Sequence, residues 1–223
     1  FKNKFNIVRY CKFNNSTYLA KKINTGLRLV NTPYSVICAD DDFLIVSTLN
    51  LCANFLNKNP TYISAMGYHY SYDFFYLEKF KKIFFTILNY STKGNSLIFT
   101  KLRLEHYINR KNDLYTFYAL HKTNELKKIW KYVSFYMNDY HFIEFCSNTL
   151  SLLLGKAKVF NKTYLIRAPN TKLPKSIYQI KRRDVKINLV KYNNCVNNFS
   201  KEFKIKLPRN FILNNSIFFL EDY

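Results

Sequence analysis

The stretch TPYSVICADDDF, residues 32 to 43, sets an apolar run directly against three consecutive aspartates in a chain that holds 14 acidic residues against 35 basic ones. Pro33 closes any helix before it, and YSVICA then reads as a fully buried strand whose carboxyl end is Asp40, Asp41 and Asp42. In open α/β sheets ligands bind beyond the carboxyl ends of strands, so the triplet stands where a site is expected.

Upstream, FNIVRYC (5 to 11) is a short β-rich run, and the NNST after it supplies helix-capping side chains. From Tyr18 to Val30 the residues Leu19, Ile23, Leu27 and Val30 recur at three- and four-residue steps, one buried helical face. The first forty residues therefore read as a βαβ unit. Downstream, STLNLCANFLNKN is a helix closed by Pro60, and TYISAMGYHYSY is an alternating strand. An aromatic, basic stretch runs to Asn95, followed by a helix near 97 to 108 and a strand-like LYTFYAL at 114 to 120. Helical patterning returns in TNELKKIWKYVSFY and in YHFIEFCSNTLSLLLG, with Gly155 as C-cap, and KAKVFNKTYLIRA reads as two short strands around an Asn turn. The sum is an α/β layered fold of Rossmann-like type, with a mixed, mostly parallel central sheet flanked by helices. Residues 1–168 form its core, and 169–223 are a basic, Asn-rich extension packed on the same unit, without assigned elements.

Composition narrows the classes. With 48% hydrophobic and 18% aromatic residues but only four Gly and five Pro, the 223-residue chain is neither disordered nor fibrous. Its formal charge of +21 suits nucleic acid, an anionic membrane surface or phosphorylated small molecules, although a Lys- and Asn-rich composition accounts for part of it. Five cysteines without CxxC spacing predict buried thiols in a reducing, cytoplasmic setting rather than disulfides or a zinc site. No apolar run reaches the roughly 18 to 20 residues of a membrane span. There is neither a Gly-rich phosphate loop nor a Ser nucleophile elbow, and His69, His106, His121 and His141 lack ligand spacing.

Three adjacent carboxylates suit a hard divalent cation. In an extended segment Asp40 and Asp42 share one side while Asp41 points away, and two carboxylates on one side fit Mg²⁺ or Mn²⁺ with phosphate oxygens as further ligands. A solvated loop or a helix cap explains the triplet equally well.

The run KKINTGLRLVNTPYSVICADDDF resembles the sugar-nucleotide-binding half of GT-A glycosyltransferases, especially those like family two, in which an Asn-x-Gly helix precedes a strand that stops at an Asp-x-Asp motif. The order of parts continues in NPTYISAMG, YTFYALHKTNEL and NDYHFIEFCSNTLSLLLGKAKVFNKTYLIR, so the resemblance covers about residues 5 to 167. It implies a metal held by Asp40 and Asp42, with Asp42 the more direct ligand and Asp41 near the ribose or donor sugar. It also implies Asn24 and Gly26 near the nucleotide, with Lys22 one residue away from a basic position of the family; Gly26 is otherwise a residue that lets a helix pack closely. Asp139 is the implied catalytic base, with Glu144 as rival and a plain N-cap as the other role for Asp139. Arg167 is the implied diphosphate ligand or else a surface arginine.

The expected activity is metal-dependent, inverting transfer of a sugar from a nucleoside diphosphate to an acceptor hydroxyl on a carbohydrate, lipid-linked or protein acceptor, with peripheral contact at the inner face of a membrane. Its rivals are a basic module for nucleic acid and a nucleotidyltransferase. The chain opens at what reads as the family's second strand, so either the first strand lies upstream or the nucleotide pocket is incomplete.

Overall fold

Tyr62–Leu77 forms the long strand around which everything else is arranged. The computed structural model describes residues 9–77, 82–90, 96–108, 116–167, 182–208 and 211. In chain order these hold α1 (Leu19–Arg28), β1 (Tyr34–Ser35), β2 (Phe43–Leu44), α2 (Val46–Lys58), β3 (Tyr62–Leu77), β4 (Lys82–Tyr90), α3 (Thr100–Ile108), β5 (Leu120–Lys122), α4 (Thr123–Tyr136), α5 (Tyr140–Leu154), β6 (Lys156–Arg167) and α6 (Arg182–Glu202).

The sheet runs β1-β5-β3-β6-β2, with β4 paired to the far half of β3. It is mixed, as expected, but not mostly parallel: β3 and β6 run parallel, whereas β1/β5, β2/β6, β3/β4 and β3/β5 are antiparallel among the described residues. The reason lies in strand length. The first half of β3 pairs with β5 through Ser64 and Ala65, and its second half turns back as a hairpin with β4, from His69 opposite Tyr90 to Leu77 opposite Lys82. Antiparallel hairpins need only a short turn, and parallel strands need a crossover.

Three strand expectations change. Of LYTFYAL, residues 117–119 form a turn and a bend, and among the described residues only Leu120 belongs to a strand, β5. YSVICA is not a fully buried strand: only Tyr34 and Ser35 pair, both half-buried, and they run antiparallel to β5. With residues 1–8 outside the description and no strand in 9–18, the described segment is helix and short strand rather than βαβ. KAKVFNKTYLIR is one strand, not two. The expected Asn turn is instead a bulge: Met66 faces Val159 and Tyr68 faces Thr163, so three residues of β6 lie opposite Gly67 alone. The carbonyl of Lys162 leans so far in that a Cβ on Gly67 would come within 2.2 Å of it. Only glycine fits this approach.

The helices follow their apolar spacing. α2 buries Thr48, Cys52 and Leu56 and packs against β3, β5 and β6. α4 buries Leu126, Ile129, Trp130 and Val133, positions i, i+3, i+4 and i+7. α5 buries ten residues on all sides because α3, α4 and α6 pack around it; Asp139 caps its start, and Gly155 ends it where a Cβ would meet Ile63 Cγ2 at 2.6 Å. The tail, without assigned elements in the sequence reading, contains α6, whose Val185, Leu189, Tyr192, Val196 and Phe199 recur at four- and three-residue steps and join the same buried core. Among the described residues no helix is long and apolar enough to cross a membrane.

Candidate functional site

β2 and β6 run antiparallel with Phe43 opposite Ile166 and Leu44 opposite Leu165. The same register sets Asp42, just before β2, across from Arg167 at the end of β6. Arg167 Nε lies 3.4 Å from Asp42 Oδ2, with the carboxylate side chain 1% exposed and the guanidinium 27% exposed. At this distance the two form an ion pair rather than a hydrogen bond, and Asp42 Oδ2 is buried without a hydrogen-bond partner. Burial raises the Asp42 pKa above the ordinary carboxylate value; Arg167 opposes the rise, and Asp41 and Asp40 add to it.

The aspartates do not share a face. Asp40 and Asp41 occupy a turn, closed by the Asp42 N–H donating to Ala39 O at 3.3 Å, and both are exposed while Asp42 is buried. The alternation expected of an extended strand does not apply, because the strand has already ended at Ser35. Among the described residues no three His, Cys, Asp or Glu side chains stand close enough together to hold a metal ion.

Around Arg167 lies a polar cluster. Its Nη2 donates to the Tyr118 hydroxyl at 3.1 Å, and its Cζ stands 4.4 Å from the centre of the Tyr118 ring. Burial pulls the guanidinium pKa down, but Tyr118, Asp42, Glu144 and Tyr140 outweigh it and the net shift is upward. Burial pushes the Tyr118 phenol up to about 12. Tyr140 is raised as well, first by burial and then by Glu144, to which it is hydrogen-bonded. Glu144, half-buried on α5, thus belongs to this cluster. Asp139 is engaged elsewhere, since its Oδ1 accepts from the Phe142 N–H at 3.1 Å as the N-cap of α5.

The floor is aromatic. Tyr164 donates to the Tyr118 carbonyl at 2.9 Å, and its ring stacks on His69 at 6.0 Å with an interplanar angle of 23°. His69 is 6% exposed, its Nε2 has no hydrogen-bond partner, and burial, helped by Arg167, brings its pKa down to about 4. Sequence spacing gives His69 no role; its position on β3 beside the bulge emerges only from the register. Cys38 reaches the same turn, its Sγ 3.6 Å from Asp42 O.

The residues of α1 are elsewhere. Asn24 Nδ2 donates to Ser134 Oγ on α4 at 2.9 Å, Lys22 is half-buried on the same helix, and a Cβ on Gly26 would meet nothing within 4 Å. Close packing is therefore not why residue 26 is glycine. Compared with known proteins, the chain matches no family model and no curated protein.

Proposed function

We propose that the chain is a GT-A-like glycosyltransferase domain that transfers a sugar from a nucleoside diphosphate to an acceptor hydroxyl. The observation that carries the reading is the convergence of Asp42, Arg167, Tyr118, Tyr140 and Glu144 at the end of β6: a buried carboxylate, a cation with donors for a diphosphate, and a second carboxylate close by.

In this reading Arg167 binds diphosphate oxygens and Tyr118 holds its plane. Glu144 accepts the acceptor's hydroxyl proton, because Asp139 is spent on the cap. The acceptor oxygen bonds to the anomeric carbon as the bond from that carbon to the phosphate oxygen breaks, and nucleoside diphosphate leaves with inversion. Carboxylate oxygens are the donors Mg²⁺ or Mn²⁺ takes, and Asp42, whose Oδ2 has no hydrogen-bond partner beside its ion pair with Arg167, would hold the ion; Asp40, exposed on the turn, would join it only if the turn rearranged, and Asp41 would approach the ribose or donor sugar. Bound there, the ion would supply positive charge against the leaving diphosphate. Asn24, Gly26 and Lys22 have no support in this cluster, and the reading does not use them.

Thermal unfolding against nucleoside diphosphates and their sugar conjugates, with and without Mn²⁺, tests it. Metal-dependent stabilisation by one nucleotide that vanishes in Asp42→Ala, with sugar released from the matching conjugate, is the expected result. Release of pyrophosphate instead would mark a nucleotidyltransferase. No shift with any nucleotide would overturn the reading.

A further inference from the structure

Away from Asp42, helices α1, α4 and α6 enclose a cleft of about 590 Å³. We infer that this cleft is a second binding site, for a ligand that combines a phosphate with a planar ring, as a nucleotide does. The inference is independent of the glycosyltransferase reading.

The cleft is built by helical periodicity. Lys21, Asn24, Thr25 and Arg28 line it from α1 at positions i, i+3, i+4 and i+7, a single polar face beside the buried Ala20 and Leu27. α4 contributes Lys131, Ser134 and Phe135, and the Asn24 to Ser134 hydrogen bond of 2.9 Å ties the two walls together at Ser134.

Charge selects an anion. Lys21, Arg28 and Lys131 face one acid, Glu202. That acid is already engaged: Lys131 Nζ lies 3.4 Å from its Oε1, and the Tyr132 hydroxyl donates to its Oε2. Lys21 and Arg28 make no ion pair among the described residues, which leaves two cations two helical turns apart on one face of α1 to receive a phosphate.

Shape selects a ring. Phe135 is 80% exposed at the cleft, although its neighbour Tyr136 meets it edge-on at 4.9 Å and Tyr132 lies stacked on Tyr136. An apolar ring kept in water between cations costs hydration and gains nothing until a flat partner covers it. Bases on aromatic side chains with phosphates on Lys and Arg are the usual terms of nucleotide recognition. The volume is that of a small-molecule site, within the roughly 300 to 1,000 Å³ typical of such pockets.

The test is titration calorimetry in EDTA at physiological salt with AMP, UMP, ribose 5-phosphate and an eight-nucleotide oligothymidylate. A nucleotide Kd tighter than about 1 mM, with ribose 5-phosphate at least about tenfold weaker, is expected. Lys21→Gln/Arg28→Gln should weaken AMP and UMP by about tenfold or more, and Phe135→Ala should weaken the nucleotides but not ribose 5-phosphate. Asp42→Asn should change none of these values. Tighter binding of the oligonucleotide than of UMP would identify single-stranded nucleic acid as the source of the ligand, and the reverse a free nucleotide. Affinity weaker than about 1 mM, equal affinity in the double variant with its circular dichroism intact, or loss of binding in Asp42→Asn would each overturn the inference.

Discussion

Arg167 Nε stands 3.4 Å from Asp42 Oδ2 because the antiparallel register of β2 on β6 runs one step beyond Phe43 and Ile166. The two charges are held by backbone pairing rather than by side-chain reach, so each depends on the other's presence. Removing Arg167 leaves the Asp42 carboxylate buried and uncompensated. Arg167→Ala should therefore destabilise the fold by roughly 3 kcal/mol, and Asp42→Asn/Arg167→Ala by clearly less than the two single changes summed. Urea unfolding of the four proteins measures this, and strict additivity would show that the pair is not coupled.

Acid should unfold the protein through its histidines. Burial lowers both His69 and His121 to about 4, from an ordinary 6.5, and His121 is 2% exposed with its Nδ1 2.9 Å from Ala119 O. A lowered folded pKa gives stability that is complete above pH 6.5 and is lost as pH falls through about 4, at about 3 kcal/mol for each histidine. Asp42 has the opposite sign: its folded pKa is raised, so its contribution is complete below about 3.8 and is lost as pH rises. Stability profiles between pH 4 and 7 should flatten in His121→Gln and steepen on the acid side in Asp42→Asn. Unchanged slopes would remove these assignments.

Cys38 offers a reporter that needs no substrate. Cys11 and Cys38 are exposed, while Cys52, Cys146 and Cys195 are buried, so native alkylation should stop at two thiols. Burial first, then the charges of Asp42 and Asp41, raise the Cys38 pKa and slow its reaction. Asp42→Asn should speed labelling of Cys38 and leave Cys11 unchanged. Mn²⁺ at the aspartates should alter the Cys38 rate in the natural protein and lose that effect in Asp42→Asn; equal rates with and without the ion would argue against a metal at this turn.

Sequence periodicity located α1, α2, α4 and α5 because each carries an apolar stripe that its own residues declare, as Leu126, Ile129, Trp130 and Val133 do. Strands were harder. An apolar run such as YSVICA says that a segment wants burial, but pairing decides whether it is a strand, and only Tyr34 and Ser35 find a partner. The bulge opposite Gly67 was equally hidden, since it depends on a neighbouring strand and not on the FNKT residues themselves. The stripe of α6 was present in the sequence but diluted by Asn193, Asn194, Asn197 and Asn198. At the site, Asp42 and Arg167 could be named from sequence, whereas Tyr118, Tyr140 and His69 enter through register and helix phase, which no local pattern encodes.

Three glycines should answer the same substitution differently. Gly67→Ala forces a Cβ to 2.2 Å from Lys162 O and 3.0 Å from Tyr164 Cβ, both held by the sheet, and should cost about 3 kcal/mol or prevent folding. Gly155→Ala sets a Cβ 2.6 Å from Cγ2 of the buried Ile63 and 3.0 Å from the backbone oxygen of Thr61, so it should cost about 2 kcal/mol. Gly26→Ala meets nothing within 4 Å inside α1 and should stabilise by about 0.5 to 1 kcal/mol. Thermal unfolding ranks them. A destabilised Gly26→Ala would contradict the open surroundings of that position.

Asp139 and Glu144 separate a cap from a base. Asp139→Ala removes the acceptor for the Phe142 N–H and should cost about 1 kcal/mol, with Asp139→Asn or Asp139→Ser restoring most of it. If Glu144 takes the acceptor proton, Glu144→Gln should keep the Tyr140 contact as a neutral hydrogen bond and leave stability nearly unchanged. Sugar transfer should then fall by about 10² or more at every pH, with donor binding retained. Asp139→Asn, by contrast, should keep the cap and most of the transfer. The reverse pattern, in which Asp139→Asn abolishes transfer at unchanged stability and Glu144→Gln does not, would return the base to Asp139 and leave Glu144 as a partner that holds Tyr140 against Arg167.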